Sequence, residues 1–411
     1  MIFLRVAIIH HALGRFGGAE RMSVLHTIHL NLMGIETDLY YNGPILKEWE
    51  EMVREYTNFY KLPFGLRLSY KNLRDIISTK NKLENYDVVL FHHHVDPFMA
   101  YYLVKNLKTK TVWYCGEPLR ALWEDVISGI PYGKLKKTVR KTSEESFGKT
   151  VTRIFLTDFS YDLVIKILRK IDIYTAKLYD MIITNSNYTR YIVNKVYNIH
   201  NNVKVVYPGI DIKKFKSFDK SEMEFPLSSE DRYILAIGAF IPMKNYETLI
   251  ESYSMLPNYI RRECKLVIIG DGVLKKHILI RAENLGIKDD LIIISSVSDR
   301  ELFSFYNYCD FVIHIALHEP FGLIPVEAGY FSKPAIVSNV GGTCETVVDG
   351  ETGYVVNPKN PKEIKNKMTR LLEDDNLRKR MGKNARKRVL NEFTIEKSTE
   401  RLLKIIEVIL K

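Results

Sequence analysis

Cysteine is scarce in this 411-residue chain, and the four present (Cys115, Cys264, Cys309, Cys344) stand far apart with no C-x-x-C pair. Neither a zinc site nor a disulfide framework can be built on them, which suits a reducing compartment. No apolar run reaches the roughly 18 residues that a membrane-spanning helix needs. The opening MIFLRVAIIHH carries Arg5 inside its apolar run, unlike a signal peptide, so the expected location is the cytoplasm. The first glycine loop lacks a complete G-x-G-x-x-G, and no ribose-binding acid is placed convincingly about 20 residues on, which argues against a nicotinamide-dependent dehydrogenase.

What is present points to a folded α/β protein. Hydrophobic residues make up 46% and charged residues 27% of the chain, the balance of an ordered globular protein. The length exceeds one ordinary core and suits two domains. A net charge of +11 favours anionic partners. Nucleic acid is not an expected partner, because net charge alone supports it.

Residues 4–10 (LRVAIIH) form a β-branched apolar run of the kind buried in parallel sheets. A turn holding Gly14, Arg15, Gly17 and Gly18 follows, then a helix from about Ala19 that Gly34 ends. Such a strand–glycine–helix unit brings backbone amides near a ligand, although the glycines could equally serve a tight turn. Further strands are predicted at about 35–41, 86–91, 110–115 and 181–185, with helices between them. His92, His93 and His94 follow one of these strands, but adjacent residues on an extended chain cannot all point one way, and no cysteine or carboxylate spacing supports a metal. The stretch 212–231 reads as a polar linker. A second alternating series follows, with strands at 233–240, 265–272, 291–297 and 310–317 and helices at 299–308, 361–373 and 375–390. The expected architecture is two Rossmann-like domains facing across a cleft, 1–212 and 213–393. The final helix, 394–411, is capped by Thr394 and carries the stripe Leu402, Leu403, Ile406 and Ile409, which fits a return to the first domain.

The most informative stretch runs from His314 to Gly353. It reads as a strand, a Glu-Pro-Phe-Gly turn, a helix, a second strand and a Gly-Gly turn. Glu319 and Glu327 lie at the start of that helix with seven residues between them. Amides at a helix start face anions, and acids beside them accept hydrogen bonds from hydroxyl groups. Read alone, Glu319 could also be an ordinary helix-start acid and Glu327 an exposed helix residue.

Glu319, Phe321-Gly322, Glu327 and the later Gly341-Gly342-x-x-Glu345 resemble, in order, the donor-site signature of glycosyltransferase family four, the retaining enzymes of GT-B fold. The likeness extends through Gly17-Gly18-Ala19-Glu20, Asn185-Ser186, VYPGID and the Lys244 turn, and is thin at 42–85 and 117–175. It implies a metal-independent transfer of a hexose from a nucleotide diphosphate sugar to a lipid-linked or polysaccharide acceptor, with no cofactor. It further implies that Glu319 binds the donor sugar and Glu327 the ribose. The amides of Phe321, Gly322, Leu323 and Ile324 would face the donor, and Lys244 would neutralise the departing diphosphate. Val297 would line the base pocket or be plain core. No Asp-x-Asp occurs, so the metal-clamping design of the other large glycosyltransferase fold is disfavoured.

Two positions depart from the family pattern. Ala239 follows Gly238 where the family usually has Arg, and in WYCGEP (113–118) Gly116 occupies the His position of the Tyr-Cys-His-x-Pro pattern that relatives acting on lipid-linked sugars often show. Arg15 is a candidate for the missing charge and Glu117 for service to the acceptor. A nucleotide-sugar-binding or scaffold protein without turnover is the alternative these departures leave. Residues 134–170 hold ten Lys/Arg against four Asp/Glu, interleaved with Phe147, Ile154, Phe155, Leu156, Phe159 and Tyr161. They form either a solvated basic face or a surface resting on anionic lipid at the cytoplasmic membrane face.

Overall fold

The computed structural model describes residues 4–11, 13–14, 17–62, 70–93, 97–128, 158–216, 227 and 232–411. The chain divides into two compact units, Met1–Tyr207 with Ser398–Lys411, and Pro208–Lys397. The first holds strands β1 (Arg5–His10), β2 (Glu36–Tyr41), β3 (Phe59–Lys61), β4 (Val88–His92), β5 (Lys110–Cys115), β6 (Met181–Thr184) and β7 (Val203–Val205). They form one sheet in the order β3-β2-β1-β4-β5-β6-β7, every pair parallel. Parallel neighbours need crossovers, and helices such as Gly18–Leu32 and Asn187–Tyr197 supply them.

Alternation along each strand builds two cores. Ala7, Ile9, Val89, Phe91, Trp113 and Cys115 pack into one cluster. Val6, Ile8, Val88, Leu90, Val112 and Tyr114 point the other way into a second. The last helix, Ile395–Leu410, belongs to that second cluster through Leu402 and Ile406, both 0% exposed. Thr394 starts it by accepting the Lys397 amide at 3.3 Å. Ser398 Oγ donates to the Tyr207 carbonyl at 2.7 Å and lies 3.0 Å from His26 Nε2. With its proton committed to Tyr207, Ser398 accepts from His26, so the buried imidazole carries its proton on Nε2.

The second unit holds β8 (Arg232–Ile237), β9 (Cys264–Ile269), β10 (Leu291–Ile294), β11 (Phe311–His314), β12 (Ala335–Ser338) and β13 (Gly353–Val356). Their order is β10-β9-β8-β11-β12-β13, again all parallel. Ile234, Ala236, Leu266, Ile268, Phe311, Ile313 and Ile336 form its main core with the helices Tyr246–Ser254, Pro361–Glu373 and Asp375–Glu392.

Several expectations need correction. The stretch expected as linker begins with a short helix, Ile212–Lys216, because Phe215 is buried against Phe303 and Tyr330, at ring separations of 4.6 and 5.0 Å. The rest of it lies outside the described residues but for one position. Strands β3 and β13 were not expected. The predicted strands of the second unit stop short: the first ends at Ile237 and the third at Ile294, where the glycine and serine turns begin.

Candidate functional site

In the second sheet β8 and β11 are neighbours, and the strand order runs outward from them in opposite directions. Ligands of such sheets collect beyond the carboxyl ends of strands at this reversal. Lys244 lies in the turn after β8 and Glu319 in the turn after β11. Lys244 closes a single 3-10 turn, Pro242–Lys244, and Asn245 follows in the left-handed conformation with φ of 58°. The Asn245 side-chain Nδ2 donates to Ile315 O at 3.2 Å and to Pro358 O at 2.8 Å, tying the lysine's turn to the strand edge beside Glu319.

Lys244 Nζ reaches Glu319 Oε2 at 2.5 Å, and His314 Nε2 lies 3.3 Å from the same oxygen. Burial alone would raise the Glu319 carboxyl, but the His314 hydrogen bond and the Lys244 charge hold it well below the usual carboxylate range. His314, at the buried end of β11, is pushed down by burial, which favours the neutral imidazole even though Glu319 works the other way. The result is one charged pair with one neutral donor beneath it.

The Gly-Gly turn after β12 supports this arrangement from below. The Gly342 amide donates to the Glu319 carbonyl at 2.7 Å. A Cβ on Gly342 would lie 2.0 Å from the Pro320 carbonyl oxygen, and Gly341 sits at φ of +83° with Glu319 O where a Cβ would reach 2.6 Å. Two glycines are needed because the turn presses directly on the backbone that presents Glu319.

The helix Leu323–Tyr330 starts at Gly322, whose φ of 90° turns the chain into it, and no side chain caps that end. Phe321 is 3% exposed and meets Phe393 at a ring separation of 5.8 Å, while Leu323 and Ile324 are half-buried at the helix start. Glu327 sits one turn in, buried, and accepts from Tyr306 Oη at 2.7 Å. It is therefore no exposed helix residue. Val297, expected at a strand end, lies three residues past Ile294 in the loop before Ser298, which caps the next helix by a reciprocal bond with Glu301.

In the first unit the order reverses between β1 and β4. Gly17 precedes the first helix with an extended φ of −99°, and Gly18 is its first residue, so neither is required by backbone conformation. Arg15, His94 and residues 134–157 lie outside the described residues. Glu117, in the turn after β5, makes a two-pronged ion pair with Arg120 at 2.6 and 2.9 Å. His93 has φ of 65°, and its Nδ1 lies 3.0 Å from where a Cβ on Gly116 would sit, so its ring fills the space above that glycine. Among the described residues no cluster of three metal-ligating side chains occurs, and no helix is long and apolar enough to cross a membrane.

The sequence reading gave His314 and Tyr306 no role. His314 sits inside an apolar strand run and Tyr306 among the aromatic residues of a mixed helix, so neither stands out in the sequence; only the structure shows that each points its polar atom at a glutamate.

Two doubly wound parallel-sheet units, with the last helix assigned to the first, are the GT-B architecture. The sequence model of the family described as Glycosyl transferases group 1 matches residues 217–388, and that of Glycosyltransferase Family 4 matches residues 16–214. The chain belongs to this glycosyltransferase family, a family of transferase enzymes. It is 30% identical over 223 residues to an uncharacterized glycosyltransferase of Methanocaldococcus jannaschii, a match covering 53% of this chain and 58% of that protein. The chain thus spans little more than half the length of that relative. It is 24% identical to the N-acetyl-alpha-D-glucosaminyl L-malate synthase of Bacillus anthracis over 90% of this chain and 86% of that one. Among solved structures, HepE of Anabaena in complex with UDP and glucose superposes with a TM-score of 0.70 at 15% identity, covering 98% of this chain and 100% of that one. At that identity the likeness concerns the fold.

Proposed function

We propose that this chain transfers a hexosyl unit from a nucleoside diphosphate sugar to a hydroxyl acceptor, lipid-linked or on a polysaccharide, with retention and without a metal ion. The observation that carries the reading is the Lys244–Glu319 pair at the strand-order reversal, beside an uncapped helix start. When the sugar C1–O bond breaks, its electron pair goes to a β-phosphate oxygen. Lys244 Nζ supplies a compact positive charge for that oxygen, and the amides at Leu323 and Ile324 supply oriented dipoles. The acceptor oxygen bonds to C1 from the face the diphosphate leaves, and its proton passes to the departing phosphate oxygen. Glu319, kept ionised, accepts from the sugar hydroxyls, and Glu327 from the ribose. A UDP-bound neighbour of the same fold and the amino-sugar name of a relative make nucleotide sugars the class to test.

The lipid part of the proposal draws on the helix Asp158–Ala176. Leu163, Ile167 and Tyr174 are 52, 46 and 51% exposed on it, with Lys166 and Lys170 exposed among them. Apolar groups flanked by lysines suit an anionic lipid surface.

The test is nucleoside diphosphate release from a panel of UDP-, GDP- and ADP-sugars with chelator present, followed by NMR of the product anomer. Release from at least one donor with the anomeric configuration kept is expected. Inversion, or activity only on adding a divalent ion, would overturn the corresponding part. Binding without release would favour the scaffold alternative. Co-sedimentation with anionic vesicles, lost when Leu163 and Ile167 become Glu, tests the lipid surface; unchanged binding would refute it.

A further inference from the structure

We infer that His314 is a positioning residue, which keeps the Glu319 carboxylate in place while Lys244 exchanges that carboxylate for the donor's diphosphate. The inference rests on the donor-site reading above and deepens it.

Lys244 Nζ and His314 Nε2 share a single oxygen, Glu319 Oε2, at 2.5 and 3.3 Å. The two partners differ in freedom. Lysine carries three donors on a flexible four-carbon stem and can turn toward a new anion. His314 ends β11, is held in register against Val337 of β12, and is 4% exposed, so its ring has nowhere to go.

They differ in charge as well. Burial favours the neutral imidazole, which has one N–H, and contact with a carboxylate oxygen places that proton on Nε2. His314 thus donates to Glu319 without adding a second cation that would compete for the diphosphate. Without it, a lysine that turned to the phosphate would leave the part-buried Oε2 with neither of its two protein donors. A part-buried charge stripped of its partners is penalised, which holds the lysine where it is. With it, the carboxylate remains ionised and aimed at the sugar hydroxyls after the lysine has moved.

A histidine acting only through Glu319 gives a distinctive pattern. The probes are UDP, GDP and ADP, and their glucose, mannose or N-acetylglucosamine derivatives, with the full chain. Binding and cleavage of one donor by the unsubstituted chain establishes the site; failure with all of them overturns the donor-site reading and this inference with it.

For His314→Leu we expect nucleoside diphosphate affinity within about threefold of native and kcat lowered roughly 10- to 100-fold, the scale of one hydrogen bond to a charged group. His314→Gln, which keeps an N–H, recovers part of that loss. In a Glu319→Gln background, His314→Leu costs less than about a further twofold, because the interaction is already gone. Native kcat in His314→Leu, or a full additional loss in the double variant, with the unsubstituted chain active, overturns the inference alone.

Nitrogen-15 NMR of the unsubstituted chain covers the case in which His314→Leu does not fold. A His314 ring protonated on Nε2, with and without nucleoside diphosphate, is the expected result. A ring protonated only on Nδ1 overturns the inference.

Discussion

Gly342→Ala adds one methyl group at the point where the Gly-Gly turn meets the backbone of Glu319 and Pro320. That carbon would stand 2.0 Å from Pro320 O, 2.7 Å from Pro320 C and 3.0 Å from Phe321 Cα. Optimal carbon separations are roughly 3.5 Å, so the first contact is short by about 1.5 Å. All three atoms are backbone, and no side chain can swing aside. Either the turn retreats or the Glu319–Phe321 segment does, and each breaks the 2.7 Å bond from the Gly342 amide to Glu319 O. Overpacking costs about 1–3 kcal/mol and the lost bond about 1 kcal/mol, so denaturant unfolding should show a loss of roughly 2–4 kcal/mol. A displacement of about 1 Å at Glu319 should lower kcat for donor cleavage on the order of 100-fold. Gly286→Ala is the control, since it also has positive φ (+66°) but nothing within 4 Å of the new carbon. It should lose about 1–2 kcal/mol from backbone strain with kcat unchanged. Native stability and native kcat in Gly342→Ala would refute the claim that this turn positions Glu319.

Three further outcomes follow from buried contacts. His26 is held down to about 3, by burial first and His29 second, against roughly 6.5 in an unfolded chain. The unfolded state then binds the proton more readily, so stability is full above about pH 6.5 and falls toward pH 3 by about 1.4 kcal/mol per pH unit for this group. His26→Asn should reduce that slope in pH-dependent unfolding, and an unaltered slope would contradict the assignment. Leu402→Ala and Ile406→Ala should each cost about 2–5 kcal/mol by calorimetry or denaturant titration, whereas Val408→Ala, 64% exposed, should cost under about 0.5 kcal/mol. Tyr306→Phe removes the donor to Glu327 and should weaken nucleoside diphosphate binding roughly tenfold in calorimetry while leaving kcat at saturating donor near native. A lowered kcat with unchanged affinity would remove Glu327 from ribose binding.

The alternation of apolar runs with helical periods was enough to anticipate two doubly wound units, because parallel strands buried on both faces leave a continuous apolar signature. Strand ends were less legible. LIIISSV reads as one run, but Ser298 caps the next helix and so ends the strand at Ile294. Phe59–Lys61 and Gly353–Val356 are too short and too mixed to show a period, and are strands because of the neighbours they pair with. At the site, Lys244 and Glu319 stand 75 positions apart in the chain, and only the strand order brings them together. Glu117 shows the opposite limit. Its partner Arg120 lies three residues on, a spacing visible in the sequence, yet the pairing depends on how the turn after β5 enters its helix.

The most direct measurement is the single-turnover rate of donor cleavage in Lys244→Ala beside the unsubstituted chain, using whichever nucleotide sugar the panel identifies. Removal of one preorganised positive donor from a developing phosphate charge should slow cleavage by roughly 100- to 1,000-fold, with donor affinity changed far less. Cleavage at the native rate in Lys244→Ala would contradict the account, since the Lys244–Glu319 pair would then be a structural salt bridge.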